Sequence, residues 1–277
     1  QLLPQAADQR KSLPLLAQDN GRILFGTERA GVLVFEGATL APLHAALSGL
    51  NVTALHGSET DLWTGTLDRG LVHFRAGEVH WIDGLPDKRV LAVASASEGR
   101  TFAATPLGIA EIVDNKVVRE HGNGLFVQAL ALTNDGLLLA GTLEDGLVEI
   151  PLTGNPGRPG RARVASSEPG EIRRIVHSEG RRFVLTASGL TVDGKPFIRN
   201  PEALLADRNI AALAPDDSGR LWIGYFDHGL EVLAGDRSIR AENGTLYCIN
   251  RIIHDPTRNR TLVATANGLA IVDASGV

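Results

Sequence analysis

Apolar positions along this chain fall into short runs of four to eight residues, each closed by Gly, Asp, Asn or Pro. No run has the length or the 3.6-residue period of an amphipathic helix, so the pattern predicts strands throughout. Two runs in each unit are apolar at successive rather than alternate positions. Such strands are covered on both faces, which is what sheets packed between sheets require.

The runs repeat. LWTGTLDRGLVHF at 62–74 returns as LLLAGTLEDGLVEI at 137–150 and as LWIGYFDHGLEVL at 221–233. Anchoring on the glycine of this phrase or its equivalent gives Gly26, Gly65, Ala104, Gly141, Leu185, Gly224 and Thr265, spaced by 37 to 44 residues. A Gly-apolar pair follows each anchor, and a further apolar run precedes it, as in NVTALH from 51, VQALAL from 127 and INRIIH from 249. Each unit then has room for a fourth strand, such as EVHWID from 78. Four-stranded units of this length, each packed between neighbours, predict an all-β fold: a seven-bladed β-propeller in a single domain spanning 1–277. The blades fall at approximately 12–49, 50–87, 88–124, 125–170, 171–207, 208–245, and 246–277 together with 1–8. The last unit lacks an outer strand, and QLLPQAADQ at the N-terminus resembles TLAPLHAAL of the first unit. The N-terminal strand is therefore expected to close the ring; the alternative is a chain cut from a longer protein whose next residues finish the blade.

Composition narrows the function classes. With 277 residues, 43% of them hydrophobic, the chain can bury a large core. A net charge of −5 argues against a nucleic-acid surface. No apolar run reaches the roughly 18 residues of a membrane span, so no membrane insertion is expected. QLLPQAADQRKS carries neither an initiator Met nor a basic-then-apolar signal segment, which is the expectation for a processed or trimmed chain. The single cysteine, Cys248, cannot form an internal disulfide and is expected as a small buried apolar residue. Ser-x-x-Lys, Gly-x-Ser-x-Gly, Walker and dinucleotide glycine patterns are all absent, so the expectation is a protein that is not an enzyme and needs no cofactor.

The phrases VTALHGSETDLWTGTLDRGLVHF, VQALALTNDGLLLAGTLEDGLVEI and IAALAPDDSGRLWIGYFDHGLEVL resemble the two-component regulator propeller repeat, over essentially the whole chain. Units three, five and seven keep the Gly-apolar half and lose the Gly-Thr, reading FAATPLGI, FVLTASGL and LVATANGL. The resemblance implies a sensor or scaffold module of a bacterial two-component system, periplasmic or extracellular, of the kind that stands ahead of a membrane helix and a histidine kinase; this chain has neither. The rival class is a seven-bladed, metal-dependent lyase or hydrolase of the streptogramin-lyase type, for which His56, His177 and His254, at comparable places on inner strands, are the candidate ligands.

Within the repeated phrase, Gly26, Gly65, Gly141 and Gly224 read as positions where a neighbouring sheet comes too close for a side chain. Thr27, Thr66 and Thr142 read as strand formers able to hydrogen-bond locally, and Trp63 and Trp222 as fillers of the wedge between blades. Recognition is then left to positions that differ between units. The longer turns place Glu28, Arg29, Asp68, Arg69, Glu144, Asp145, Asp227 and His228 on one face, either as solvated turn residues or as a binding ring. Inner strands open with Thr53, Gln128, Arg173, Arg174, Asn250 and Arg251, and two arginines at a channel mouth suit an anion unless Glu171 or Asp207 neutralises them. Phe126, Tyr225, Phe226 and Tyr247 near the same rim suit a sugar or ring, or pack between blades. The expected partner is an anionic or carbohydrate small molecule, or a protein. The segment PLTGNPGRPGRARVASSEPG at 151–170 lengthens unit four as a basic loop on the opposite face.

Closure by the N-terminal strand has a direct test. Deleting residues 1–8 exposes a strand edge and lowers the melting temperature by several degrees; an unchanged melt contradicts the closure.

Overall fold

The computed structural model describes residues 14–36, 39–96, 99–152, 163–164, 168–178, 180–197, 210–234, 237–241, 246–265 and 268–273. Seven antiparallel sheets follow one another along the chain. They run from Leu15–Ala17 to Thr39–Pro42, from Val52–Gly57 to Glu78–Trp81, from Ala92–Ser95 to Lys116–His121, and from Val127–Leu132 to Arg163–Val164. The last three run from Ile172–Ser178 to Lys195–Pro196, from Ile210–Pro215 to Arg237–Ala241, and from Arg251–Asp255 to Gly268–Val272. Six have four strands in chain order, and the seventh has three among the described residues. The first strands of successive sheets are neighbours, and the first strand of the seventh lies against that of the first. The sheets are thus the blades of a seven-bladed propeller, their first strands arranged around the central axis. The expected pairing of the N-terminal strand onto the last blade falls outside the described residues, as do residues 153–162 and 165–167 of the long unit-four segment.

The ring is also joined by side chains. Arg260 donates to the Gly21 carbonyl (3.0 Å), as does Arg258, and Thr257 donates to that of Asp19 (3.2 Å), tying blade seven to blade one. Blade one is tied in turn to blade two by the Arg22–Glu59 ion pair at 2.7 Å and by Asn20 donating to Glu59 at 3.0 Å.

Registers explain the repeated phrase. A Cβ added to Gly65 would stand 2.7 Å from Val90 Cγ1 of the next blade, and one added to Gly141 would stand 2.6 Å from Ile172 Cγ2. Val52 and Ile249 occupy the same place against Gly26 and Gly224. These β-branched residues also donate their backbone N–H groups backwards, Val52 to the Thr27 carbonyl at 2.8 Å, Val90 to Thr66 at 2.9 Å and Ile249 to Tyr225 at 3.2 Å. Adjacent blades are thus in backbone contact at the glycine, which no side chain could share.

The threonine after the anchor closes the following turn. Its hydroxyl donates to the carbonyl of the glycine beyond the turn in Thr27–Gly31 (2.8 Å), Thr66–Gly70 (2.8 Å), Thr105–Gly108 (2.8 Å), Thr142–Gly146 (2.7 Å) and Thr186–Gly189 (3.0 Å). In blade seven Thr265 pairs with Gly268, the threonine register, so the anchor equivalent there is Ala264 and not Thr265 as the spacing suggested. Trp63 and Trp222 are buried as expected, as is Cys248.

The close approach at the anchor generates a prediction. Gly141→Ala forces Ile172 outwards and lowers the unfolding free energy by about 1–3 kcal/mol, read from the denaturant midpoint; an unshifted midpoint contradicts the role given to the glycine.

Candidate functional site

The first strands carry the functional difference between blades. In each, one residue stands opposite the anchor: Pro14 accepts at its carbonyl from Gly26 N, and Ala54, Ala92, Ala129 and Ala212 pair with Gly65, Ala104, Gly141 and Gly224. The two remaining blades place Arg174 opposite Leu185 and Arg251 opposite Ala264. Five small or apolar residues and two arginines therefore occupy one ring of equivalent positions.

Both arginines are half-buried, and the Nε of each is buried with no hydrogen-bond partner. Neither forms an ion pair with a described residue. The carboxylate nearest Arg174 in sequence, Glu171, bonds instead to Arg173 (Nε to Oε1 3.3 Å), that nearest Arg251, Asp255, bonds to Arg260 (2.9 Å), and Asp207 lies outside the described residues. Burial lowers the Arg251 guanidinium from its ordinary value to about 10. It stays charged at neutral pH, and among the described residues no counter-charge offsets its desolvation.

A bulge precedes the ring position in the first strands of blades two, four, five and six. It turns Thr53 and Gln128 towards the next blade, where they donate to the Val90 and Ile172 carbonyls (3.0 Å for Gln128). These two residues join blades. Arg173, at the same bulge in blade five, is exposed.

The turns between second and third strands do emerge beside the starts of the first strands. Leu67 N donates to the Asn51 carbonyl, Leu143 N to Phe126 and Cys248 N to Phe226, each at 2.9 Å. Arg29, Asp68, Arg69, Glu144, Asp145, Asp227 and His228 are all exposed there, with Glu28 half-buried. Asp145 is held by a bridge to Gly170. None of Arg29, Asp68, Arg69, Glu144, Asp145 or Asp227 enters an ion pair with a described residue. The aromatic residues divide: Tyr225, for which both rim and inter-blade packing were open, packs between blades, fully buried, and donates to Glu231 at 2.5 Å. Phe126 is half-buried, whereas Phe226 and Tyr247 are exposed as a pair with centroids 6.3 Å apart.

Sequence reasoning missed two clefts at the opposite ends of the blades, formed where first-to-second and third-to-fourth strand turns meet. One, of about 620 Å³, lies between blades two and three and is lined by His56, Asp61, Trp63, His73, Arg75 and Asn115 among others. The His73 ring stacks on Trp63 at 3.9 Å and bonds to Asp61 Oδ1 through Nε2 (2.7 Å) and to Asn115 Oδ1 through Nδ1 (2.6 Å). Asn115 reaches it from a two-residue turn in which Asp114 and Asn115 both have positive φ, 49° and 61°. Burial lowers the His56 pKa, so its imidazole is neutral at pH 7. The polar Asp61 and His73 inside LWTGTLDRGLVHF and its preceding residue were the available signal. The second cleft, of about 440 Å³ between blades four and five, includes His177, Asp135 and Arg182, the last paired with Glu149 (2.9 Å) and Glu168 (3.4 Å). His254 bonds instead to Thr261 at 3.3 Å. His56, His177 and His254 therefore belong to different seams and do not come together.

Neither protein-family models nor curated protein sequences give a match. Among solved structures the chain is similar to PorZ, a surface component of the type-IX secretion system of Porphyromonas gingivalis, at 14% identity and TM-score 0.70 over 97% of this chain and 37% of that one. It is similar to virginiamycin B lyase from Staphylococcus aureus at 15% identity and TM-score 0.68, over 98% and 97% of the two chains. The extracellular domain assigned to the hybrid two component system BT3049 of B. thetaiotaomicron gives 17% identity and TM-score 0.51, over 93% of this chain. This chain spans 43% of that one. At these identities the likeness is one of fold.

The Arg251 cation at the ring gives a sign-specific prediction. Folded Arg251 holds its proton less tightly than the unfolded side chain, so its contribution to stability improves only as pH rises through about 10, and at pH 7 the penalty is present in full. Partial solvent contact keeps that penalty below roughly 3 kcal/mol. Arg251→Met should therefore raise the melting temperature of the unliganded protein at pH 7, by about 2–4 °C for each kcal/mol recovered; a fall of several degrees contradicts an unneutralised charge.

Proposed function

We propose that this chain is a non-catalytic binding propeller of the sensor type, working outside the cytoplasm, which takes an anionic ligand or partner on the face where the first strands begin. The observation that carries the reading is the substitution pattern at the ring: small or apolar residues in five blades, and in two an arginine whose Nε is buried without a partner. An evolved chain keeps an uncompensated, desolvated cation when something else supplies the counter-charge, and a guanidinium offers a planar fork to a carboxylate or sulfate. The charges on the surrounding turns, Asp68, Arg69, Glu144, Asp145 and Asp227, would select among anions by attraction and repulsion, with His228 exposed beside them. Sensor architecture and an extracellular setting draw support from the fold shared with extracellular two-component domains. The lyase alternative draws on fold likeness alone, since the candidate histidines occupy separate seams.

The reading is tested with inorganic sulfate and acetate, by calorimetry and by thermal shift. Saturable binding to the unmodified protein is expected, with stabilisation of about 2.7 kcal/mol at one hundred times Kd, and its complete loss in the Arg174→Ala/Arg251→Ala variant. Binding retained in that variant, no binding to the unmodified protein, or metal-dependent turnover of any substrate contradicts it.

A further inference from the structure

We propose that the cleft between blades two and three is a second binding site, separate from the arginine ring, which takes an uncharged polyhydroxy ligand, a sugar or a polyol. At about 620 Å³ it has the size of a small-molecule site. Behind it runs one row across blade two. His56 pairs with Trp63, Trp63 with His73 and His73 with His80, so these side chains share the face that packs on blade three. Blade three faces the cleft with Ser95, Thr101 and Asn115. At the place of His56 the other six blades have Leu16, Ala94, Ala131, Val176, Ala214 and Ile253. An imidazole there is not something that the packing of a seam requires.

Several neutral groups in this wall are left open. Blade six sets the comparison: Trp222 donates its indole N–H to Asp216 at 2.8 Å, and Asp216 is the buried residue that follows the first strand. The register puts Ser58 at that place in blade two, after the Gly57–Leu62 pair as Asp216 comes after Pro215–Leu221. The Ser58 hydroxyl bonds instead to Thr60 Oγ1 and accepts from Asp61 N, both at 3.2 Å. Trp63, which lines the cleft, therefore has no acceptor for its N–H among the described residues, whereas a buried tryptophan usually finds one. His56 likewise bonds to no described residue. Its imidazole is neutral at pH 7, so one ring nitrogen donates and the other accepts. Ser95 and Thr101 share one hydrogen bond at 3.0 Å, and whichever donates, the other keeps its O–H for a ligand.

The charged groups of the cleft, by contrast, are largely matched to one another. Asp61 accepts from His73 at 2.7 Å and lies 3.4 Å from Arg75 Nε, and Asn115 holds the other nitrogen of the His73 ring. Asp114 lines the cleft and is exposed, where it repels anions. What the wall offers a ligand is the Trp63 N–H, the His56 N–H and one hydroxyl as donors, and the second His56 nitrogen as acceptor. A hydroxyl both donates and accepts, so neighbouring hydroxyls on one ligand answer this set. A carboxylate or phosphate could only accept, and would meet Asp114.

The indole N–H signals of Trp63 and Trp222 in a proton–nitrogen-15 spectrum report on the site and on a control together. Titration with D-glucose, D-galactose, D-mannose and D-glucitol should move the Trp63 signal saturably for at least one of the four, while Trp222, held by Asp216, stays in place. D-Glucuronate and N-methylacetamide should bind about tenfold more weakly than the best of them. His56→Ala should weaken that binding about tenfold without lowering the melting temperature, since alanine fills the same place in blades three, four and six. Ser58→Asp, which gives Trp63 the acceptor that Trp222 has, should weaken it similarly, and sulfate binding should be unchanged in both variants. A Trp63 signal that responds to none of the four, glucuronate or N-methylacetamide binding as tightly as they do, or binding that survives both substitutions overturns this proposal and leaves the anion-binding reading standing. Absence of sulfate binding by the unmodified protein overturns that reading and leaves this one.

Discussion

The structure depends on one steric constraint: in four seams a β-branched residue at the start of a first strand lies on the glycine anchor of the blade before it, where nothing larger fits. Val52, Val90, Ile172 and Ile249 take this place against Gly26, Gly65, Gly141 and Gly224. Contact at this distance lets three of them also donate a backbone hydrogen bond across the seam. A small residue is needed where the next blade comes closest, and aromatic filling, Trp63 or Trp222, suits the position two residues earlier on the same strand. Ala104, Leu185 and Ala264 mark the seams where the approach is relaxed.

The same constraint decides where function can reside. Residues that make the seams are repeated because every seam has the same geometry, and they include the threonine that closes the following turn. What remains free to vary is the first-strand residue opposite the anchor and the turns around it. Arg174 and Arg251 use that freedom at an energetic cost that packing does not explain, whereas Thr53 and Gln128 spend theirs on backbone carbonyls of the next blade. The clefts between blades two and three and between blades four and five use a different freedom, the turns at the other end of the blades. There Asp61 and Asn115 fix His73 against Trp63 so completely that the arrangement is explained by the packing of the seam.

Blade number, strand order and the roles of glycine, threonine and tryptophan were legible in the sequence because each is a local pattern repeated at a fixed spacing. The placement of Arg174 and Arg251 on a common ring was half legible: both follow an apolar strand start, but a bulge shifts the register in blade five, and only the pairing shows that they are equivalent. Tyr225 takes the packing alternative that the sequence left open: it stands where other units have threonine, and its side chain turns inwards to reach Glu231, six residues on. The anchor of blade seven was off by one residue because LVATANGLA has no glycine at the anchor position to fix it. The clefts join residues some 40 positions apart through a seam, and no single repeat displays such a pair.

Two guanidinium groups, of Arg174 and Arg251, stand ready for an anion that no described residue supplies. Nitrogen-15 NMR of the arginine Nε–H groups, titrated with sulfate, observes them directly. The account predicts that the Arg174 and Arg251 signals move together and saturate, while those of ion-paired Arg22, Arg182 and Arg260 stay in place. Signals of Arg174 and Arg251 that do not respond, or that move no more than the ion-paired ones, would contradict it.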